Sequence, residues 1–211
     1  TGSVKSLVYL KLIKEILESG KSAQFLLPEI NLTPQFVNMF KEFLSHKVFS
    51  YHSGVTPSEK YHIWRELKEN KEPVLVMGVR SSIFLPIEDL GIVVVDEEHD
   101  GSFKQSDRCP YNGRDVAIKK AQLSNCPVVM GSATPTMENY YNFSEQLAQR
   151  NYYELKERVN GHFPKLELFD TRDRFKEKDP AWPFLDETIK EMEEKLSKGE
   201  QVLVFINKLG F

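Results

Sequence analysis

The sequence predicts an α/β fold in which a parallel β-sheet is covered by helices. The first observation is that short apolar or β-branched runs alternate with segments of helical periodicity. The second is the run 92–95, which has no polar alternation and is typical of a strand buried on both faces. The third is composition, since 40% hydrophobic and 28% charged residues over 211 residues indicate a globular chain with a real core. Disordered, collagen-like and coiled-coil classes are therefore excluded for the chain as a whole.

Helices and strands alternate along the first two thirds of the sequence. Helices are predicted where apolar residues recur every three or four positions, and strands where short runs are apolar or β-branched. The predicted helices are 7–19, which Gly20 closes, then 36–44, 58–68, 114–123 and 137–148. The predicted strands are 23–27, 47–51, 74–77, 92–95 and 128–130. Because ligands bind at the carboxyl ends of such strands, the residues after each run are candidate site residues.

The alternation changes near residue 150, where the helices become rarer. The predictions there are strands at 152–159, 166–169 and 201–206, a charged loop at 172–180, and an amphipathic helix at 185–196 with Gly199 as its cap. A strand that opens a new unit at the end of the sequence indicates a second, incomplete part.

Charge and cysteine content narrow the classes of protein. With 28 Lys and Arg against 31 Asp and Glu, the net charge is −3, so any nucleic acid must be bound by a local surface. No apolar run approaches the ~20 residues of a membrane helix, and no signal peptide is recognisable. The two cysteines, Cys109 and Cys126, form no CxxC pair, which argues against zinc and a disulfide framework and fits a reducing cytosol.

The first candidate site is the segment 1–6, TGSVKS, directly before a predicted helix. In a phosphate loop, GxxxxGK[ST], backbone N–H groups cradle phosphate, the Lys reaches the outer phosphates and the hydroxyl holds Mg²⁺. Lys5 and Ser6 fit this pattern, whereas Val4 stands where the glycine before the lysine is expected. On these residues alone, a helix start with a chance Lys-Ser pair is the stronger interpretation.

The second candidate site is the acidic run Asp96, Glu97, Glu98 and His99, directly after the predicted strand 92–95. One carboxylate at such a strand end can hold Mg²⁺ and the next can polarise an attacking water. The alternatives are a solvated acidic turn and a metal site that uses His99 directly. The order of the acidic run after Lys5 and Ser6 agrees with a P-loop ATPase.

Hydroxyl residues mark the third candidate site, the segment 131–135, GSATP. They can reach the acidic run, or Thr134 can cap a helix with Pro135 at its first position. Similar Thr-Pro pairs begin at Thr33 and Thr56, each before a predicted helix. Several helix amino termini at one sheet edge could bind a phosphate backbone without reading its sequence.

Taken in order, these motifs resemble the PriA-type primosomal replication-restart helicases (primosomal protein N′), which are superfamily-two DNA helicases. The resemblance runs through nearly the whole chain. DEEH or SATP alone occurs in many helicases, whereas LPEINLTPQ together with DEEHDGSFKQ is much more specific. The matching segments are TGSVKSLVYL (1–10), LPEINLTPQ (27–35), HSG (52–54), GVRSSIFLP (78–86), DEEHDGSFKQ (96–105), YNGRD (111–115), GSATP (131–135) and QVLVFINKLGF (201–211).

The resemblance implies a RecA-like P-loop ATPase lobe at 1–160, followed at 161–211 by a linker and the beginning of a second helicase lobe. It implies an ATP-dependent 3′-to-5′ DNA helicase that acts in replication restart and primosome assembly in the bacterial cytoplasm. The implied cofactors are ATP and Mg²⁺, with zinc expected only in parts of such helicases outside this chain. The implied partners are single-stranded and forked DNA and other primosome or replication-restart proteins, with no membrane.

The resemblance also implies roles for individual residues of the ATP site and its link to DNA. Lys5 would contact phosphates, Ser6 and Asp96 would hold Mg²⁺, and Glu97 would activate water. The full nucleotide-binding set would be Gly2, Ser3, Val4, Lys5 and Ser6. The residues that couple nucleotide state to DNA would be His99, Ser132 and Thr134.

Residues near single-stranded DNA are implied in the same way; they would be Thr33, Arg80, Phe103, Lys104 and Tyr111. Base stacking by the two aromatic residues is conceivable. Packing under a loop is an equal alternative for Phe103 and Tyr111, as is a structural ion pair for Arg80 and for the neighbours Arg114 and Asp115.

Two departures from the family pattern qualify these expectations. Val4 puts a β-branched side chain where a glycine lets backbone approach phosphate, so we expect weakened nucleotide binding or a distorted loop. The chain is expected to be a fragment without the second-lobe arginine, so little or no ATP turnover is expected from it alone. A nucleotide-independent DNA-binding or interaction module therefore stays an alternative, and an RNA translocase is disfavoured by LPEINLTPQ.

Overall fold

Five parallel strands form the sheet that organises the first of two units, Thr1–Val159. These strands are β1 (Ser22–Leu26), β2 (Lys47–Tyr51), β3 (Val74–Gly78), β4 (Leu90–Val95) and β7 (Val128–Met130). Their order across the sheet is β2-β3-β1-β4-β7, and every neighbouring pair is parallel. All five lie where strands are predicted, which confirms the α/β class with a parallel sheet.

Helices connect most of these strands, and a small hairpin interrupts the path from β4 to β7. The helices are α1 (Ser3–Glu18), α2 (Pro34–Phe43), α3 (Pro57–Glu69), α4 (Gly113–Leu123) and α5 (Met137–Ser144). Three single 3-10 turns lie at Glu29–Asn31, Arg80–Phe84 and Gly101–Phe103. The hairpin pairs β5 (Lys104–Gln105) with β6 (Tyr111–Asn112) in antiparallel fashion.

The computed structural model describes residues 3–69, 71–144, 151–155, 165–170 and 184–205, and for residues 3, 4, 143 and 144 it describes the backbone alone. Within those ranges no helix is long and apolar enough to cross a membrane. The predicted loop 172–180 and the end of the helix predicted at 137–148 lie outside the described residues.

Both faces of the sheet are buried, because side chains that alternate along each strand pack in clusters on opposite sides. Phe25 and Val94 point to one face and pack in a single cluster with residues of α1 and α2. Leu26 and Val93 point to the other face and pack against Ala117 of α4, because successive strand residues face opposite sides. A strand covered on both faces reads as a continuous apolar run, which explains the pattern at 92–95.

Helix ends follow local chemistry that the sequence displays. Gly20 has a φ of +84°, and its N–H donates to Leu17 O at 3.0 Å while the next N–H donates to Ile16 O at 3.2 Å, so a glycine closes α1. At the start of α3, Thr56 N–H donates to Glu59 Oε2 at 2.9 Å and Glu59 N–H donates to Thr56 Oγ1 at 3.3 Å. This reciprocal capping box also lowers the pKa of the Glu59 carboxyl, chiefly through the hydrogen bond from the Thr56 side chain.

The strand register brings the carboxyl ends of the sheet to one edge. Leu26 pairs with Gly78 on one side and with Val95 on the other. Tyr51 pairs with Gly78, and Met130 pairs with Val95, so all five strands end in register. The motifs that follow the strands therefore meet at this edge, as the parallel topology predicts.

The second unit, Asn160–Phe211, contains the helix α6 (Asp186–Ser197), which confirms the helix predicted at 185–196. Gly199 follows it with a φ of +74°, and its N–H donates to Leu196 O at 3.0 Å, so the predicted cap is also confirmed.

The strands predicted after residue 150 are wrong where they can be compared. The described parts of those predictions, residues 152–155, 166–169 and 201–205, contain no strand. A strand is stabilised only by hydrogen bonds to a neighbouring strand, and an apolar run does not reveal whether a neighbour is present. Leu168 and Leu203 are 94% and 95% exposed, so these apolar side chains are not buried against a partner.

Candidate functional site

A lysine from α1 meets two carboxylates at the end of β4. Lys5 Nζ donates to Glu97 Oε1 at 2.6 Å and lies 3.3 Å from Asp96 Oδ1. Their side chains are largely withdrawn from water, at 15% exposure for Lys5, 11% for Asp96 and 26% for Glu97. The structure thus brings together the three residues that the sequence analysis places at the centre of a nucleotide site.

The segment around Lys5 forms the first turn of α1 rather than a loop in front of it. The helix begins at Ser3, so residues 3–6 are helical, while Thr1 and Gly2 lie outside the described residues. Helical periodicity becomes visible only from residue 7, because the polar residues of a first turn carry no apolar stripe. Ser6 is buried at 7% exposure. The first turn of a helix has N–H groups without intrahelical partners, a suitable setting for phosphate.

Tyr9 completes the cluster, and the sequence analysis missed it. Its Oη donates to Asp96 Oδ1 at 3.0 Å, and the ring is 3% exposed. Burial, and then the negative charge of Asp96, raise the pKa of the Tyr9 phenol far above its usual range, so the group stays a donor. Its position four residues after Lys5 puts both side chains on one helix face, which is the signal that could have revealed it. We call Lys5, Tyr9, Asp96 and Glu97 the Lys5 site.

Glycine is required beside this tyrosine. A Cβ placed on Gly131 would lie 1.6 Å from Tyr9 Oη and 2.8 Å from Tyr9 Cζ. The carboxyl end of β7 therefore passes directly over the phenol, which explains why the third motif begins with glycine.

Glu97 holds a backbone conformation that is unusual for a residue with a side chain. Its φ is +48°, and its carbonyl accepts from Asp100 N–H at 2.7 Å in a tight turn. Such left-handed residues cost of order 1–3 kcal/mol and cluster at functional sites. Asp89, Arg108 and Asn125 also have positive φ, so it is this conformation together with the contact to Lys5 that points to Glu97.

The expected coupling residues also meet. His99 Nδ1 lies 2.6 Å from Ser132 Oγ and 3.7 Å from Glu97 Oε2. Ser132 Oγ in turn accepts from Thr134 N–H at 3.0 Å. The His99 ring thus bridges the carboxylate of the second motif and the hydroxyl of the third.

Thr134 does not cap a helix, so that alternative is wrong. Helix α5 begins at Met137, and Thr136 Oγ1 accepts from Asn139 N–H at 3.4 Å. The capping hydroxyl therefore lies after Pro135 instead of before it, while Gly131 and Ser132 contact Glu98 and His99 of the acidic run.

Glu98 takes part in a hydrogen-bond network of its own. It is 4% exposed and accepts from Arg114 Nη1 at 3.1 Å, from Thr136 N–H at 2.8 Å and from Asn139 Nδ2 at 2.6 Å. Arg114 Nε also donates to Asp115 Oδ1 at 3.1 Å, the neighbour pair that the sequence suggests. The acidic run is therefore not a uniform solvated turn, since Glu97 contacts Lys5 whereas Glu98 contacts Arg114.

Arg80 fastens a loop through backbone carbonyls instead of an ion pair. Its Nη1 donates to Ser102 O at 2.9 Å and to Lys104 O at 2.7 Å, and its Nη2 donates to Gln105 Oε1. The guanidinium lies 5.7 Å from the centre of the Tyr111 ring. We call Arg80, the segment 101–105 and Tyr111 the Arg80 brace.

The aromatic residues near this brace have different surroundings. Phe103 is 1% exposed and packs in one cluster with Val95 and Ala117, so packing under a loop is its role and base stacking is wrong for it. Phe84 is 61% exposed and contacts Tyr111 edge to face at 5.1 Å. Phe84 was missed; its signal was an aromatic residue within the matching segment 78–86.

Thr33 and Lys104 are also expected near DNA, and they follow the carboxyl ends of β1 and β4 in the chain. Thr33 caps α2 by accepting from Phe36 N–H at 3.3 Å, and the Lys104 side chain is exposed.

Within the described part of the chain, no group of three or more His, Cys, Asp or Glu is arranged to hold a metal ion. The oxygen donors Asp96 and Ser6 nevertheless fit Mg²⁺, which commonly takes one or two protein oxygens together with substrate phosphates and water.

Comparison with known proteins gives the family. The profile of the DEAD/DEAH box helicase family matches residues 1–143. The chain belongs to this family. The match contains the Lys5 site, the Arg80 brace and the segment 131–135, and it confirms the RecA-like helicase lobe that the resemblance implies. Membership in a helicase family suggests that ATP is used.

Curated relatives named replication restart protein PriA match the entire chain, which confirms the PriA resemblance. The protein from Bacillus subtilis is 44% identical over 215 residues, covering 100% of this chain and 26% of its own length. Those from Synechocystis and Haemophilus influenzae are 39% and 38% identical over 100% of this chain, which covers 26% and 28% of them. This chain thus spans about a quarter of the length of these relatives.

Two solved structures resemble the fold at a lower level. One is RecG bound to a three-way DNA junction, with a TM-score of 0.44 and 20% identity over 67% of this chain and 18% of that one. The other is a nuclease-deletion mutant of the restriction-modification enzyme LlaGI with a DNA substrate mimic, with a TM-score of 0.43 and 15% identity over 64% of this chain and 15% of that one.

Proposed function

We propose that the chain is the ATP-binding lobe of a 3′-to-5′ DNA helicase that acts in bacterial replication restart. The observation that carries the proposal is the meeting of Lys5, Asp96 and Glu97 in space. Lys5 and Glu97 are 92 positions apart in the sequence. The relatives named replication restart protein PriA, similar over the whole chain, support the biological setting. The expected partners are single-stranded and forked DNA and other replication-restart proteins.

In this proposal the Lys5 site provides positioning and charge for phosphoryl transfer. Lys5 would contact the outer phosphates, Ser6 and Asp96 would hold Mg²⁺, and Glu97 would activate an attacking water. The bound Mg²⁺ would neutralise charge that develops on the phosphate oxygens. Tyr9 keeps Asp96 in one orientation by donating to Oδ1 at 3.0 Å. Most of the catalytic effect in such sites comes from preorganised charge.

The strand-binding surface is proposed to lie on the same edge of the sheet. Arg80 is committed to carbonyls, so its part is to shape the surface, while the exposed Lys104 and the Phe84–Tyr111 pair contact the strand. Lysine neutralises phosphate, and an exposed aromatic residue stacks on a base without sequence preference. A local surface of this kind is compatible with the net charge of −3.

The direct test is binding of Mg-ATP to the chain after substitution of Lys5. We expect Lys5→Ala to weaken binding by about tenfold or more, since a hydrogen bond to a charged group contributes ~1.5–3 kcal/mol. The matched control is Lys14→Ala, which removes an exposed lysine of the same helix. We expect no sustained ATP hydrolysis by the isolated chain. Equal affinity for Mg-ATP in both variants would contradict the proposed site.

A second candidate function is DNA binding without nucleotide, and Val4 is the observation that favours it. If a β-branched residue closes the phosphate site, Val4→Gly should increase ATP affinity severalfold while affinity for single-stranded DNA stays constant. ATP affinity that is unchanged by Val4→Gly shows that the valine is tolerated. DNA binding combined with no ATP binding in both forms would support the second function instead.

A further inference from the structure

Glu98 is a buried carboxylate that the proposed hydrolysis does not use. It lies beside Glu97 in the chain, yet its side chain is only 3% exposed and its hydrogen bonds go to a different set of residues. A carboxylate is costly to bury unless it is hydrogen-bonded and paired with a positive charge. Here three donors satisfy it: Arg114 Nη1, Thr136 N–H and Asn139 Nδ2.

The three donors come from two separate parts of the chain. Thr136 and Asn139 belong to the segment that follows Ser132 and Thr134 and begins α5. Glu98 N–H also donates to Gly131 O at 3.1 Å, so both its backbone and its side chain hold this segment. Glu98 thus fixes the position of Ser132 relative to His99 and Glu97.

Arg114 connects the same carboxylate to the Arg80 brace. It is the second residue of α4, directly after β6, and its N–H donates to Asn112 Oδ1 at 3.0 Å. A Cβ on the preceding Gly113 would lie 2.9 Å from Arg80 Cγ, so the start of α4 packs closely on the brace. A shift of the β5–β6 hairpin would therefore move the guanidinium that holds Glu98.

We infer that Glu98 and Arg114 form a positioning pair that links the strand-binding surface to the nucleotide site. Neither residue touches nucleotide or strand in this inference. The pair sets the distance between the hairpin, the segment 131–136 and Glu97, so binding on one side changes affinity on the other. The inference rests on the proposed function, since it needs both a nucleotide and a single strand as ligands.

The test measures linkage in the intact 211-residue chain. The affinity for the Mg²⁺ complex of a non-hydrolysable ATP analogue is determined with and without saturating oligothymidylate of about 15 nucleotides. The ratio of the two affinities is the coupling factor, and it must be the same when the order of ligands is exchanged. A purely structural role changes the unfolding midpoint and leaves this ratio constant.

Glu98→Gln and Arg114→Gln should each move the coupling factor towards one, by about twofold to thirtyfold. The double variant should lose no more than the larger single loss, because both changes break one interaction. Arg114→Lys, which keeps a charge but not the planar fork, should lose less and serves as the variant with the mildest effect on folding. The matched control is Glu69→Gln, which alters an exposed ion pair with Arg65 and should leave the ratio unchanged.

The outcomes separate this inference from the proposed function. A coupling factor that persists in the Glu98 and Arg114 variants overturns the inference. Two ligands that bind the unaltered chain without any linkage also overturn it, while they leave the proposed function standing. Failure of the unaltered chain to bind either ligand overturns the proposed function, and the inference falls with it.

Discussion

The Lys5 site and the Arg80 brace lie on the same edge of the sheet but are built in different ways. The Lys5 site is made by charged side chains that contact each other directly, such as Lys5 and Glu97 at 2.6 Å. The Arg80 brace is made by a side chain that holds backbone carbonyls, at 2.7 Å for Lys104 O. A site whose side chains contact each other can be recognised from a sequence motif. A site in which a side chain binds backbone carbonyls depends on packing that motifs do not encode.

The largest effect that would test this comparison is expected from replacing Phe103, the buried aromatic residue of the Arg80 brace, with alanine. Phe103→Ala should lower the free energy of unfolding by about 3–5 kcal/mol, because Phe103 is 1% exposed and its loss leaves a cavity. Phe84→Ala is the matched control, since Phe84 is 61% exposed and its loss should cost under about 1 kcal/mol. Denaturant unfolding measures both values.

Affinity for single-stranded DNA should show the reverse order for the same two residues. Phe84→Ala should weaken binding by about fivefold or more, since base stacking on an aromatic side chain contributes ~1–3 kcal/mol. If Phe103→Ala weakens DNA binding while the chain remains as stable as the unaltered protein, the assignment of Phe103 to the core is wrong.

These two phenylalanines also show what the sequence could and could not predict. The five strands follow from periodicity. The contact between Lys5 and Asp96 is expected from the order of the motifs and from the family resemblance, because periodicity alone leaves Lys5 and Ser6 as a chance pair at a helix start. The burial of Phe103 depends on how the segment 96–105 folds back over Ala117, and no local pattern encodes that contact. Glu98 and Glu97 are adjacent and chemically alike, so only the backbone turn at Glu97, with a φ of +48°, separates their roles.

A smaller effect should come from crowding the Lys5 site. Gly131→Ala places a Cβ 1.6 Å from Tyr9 Oη, and the buried ring has little room to move. We expect a loss of about 1–3 kcal/mol in the free energy of unfolding, typical of overpacking. Thermal unfolding is the measurement, with Gly101→Ala as the control because nothing lies within 4 Å of a Cβ there.

Tyr9→Phe should partly relieve that loss in the double variant, because it removes the atom nearest to the new methyl group. The relief should be incomplete, since Tyr9 Cζ would still lie 2.8 Å from the added carbon. Additive losses in the double variant would show that the two residues do not meet as described.

The smallest effect concerns the far side of the brace, where Lys120 supports the turn Arg80–Phe84. Lys120 Nζ donates to Ile83 O and to Leu85 O, both at 2.9 Å. Burial lowers the pKa of this lysine from 10.5 to about 8, an effect that the nearby Cys126 thiol partly opposes. The folded chain therefore releases the proton more easily than the unfolded chain.

The sign of the pH dependence follows from that difference. Between pH 8 and 10.5 the unfolded state holds more protons on Lys120, so the free energy of unfolding should rise with pH, by at most about 1.4 kcal/mol per pH unit. Lys120→Met should lack this rise, whereas Lys119→Met, which removes an exposed neighbour, should retain it. Denaturant unfolding from pH 7.5 to 9.5 gives the slopes as order-of-magnitude values.

A neutral amine still has two N–H groups for the two carbonyls, so the turn should stay in place as the charge is lost. Equal slopes in the two variants would mean that Lys120 is solvated, and that this side of the brace is fastened by something other than the lysine.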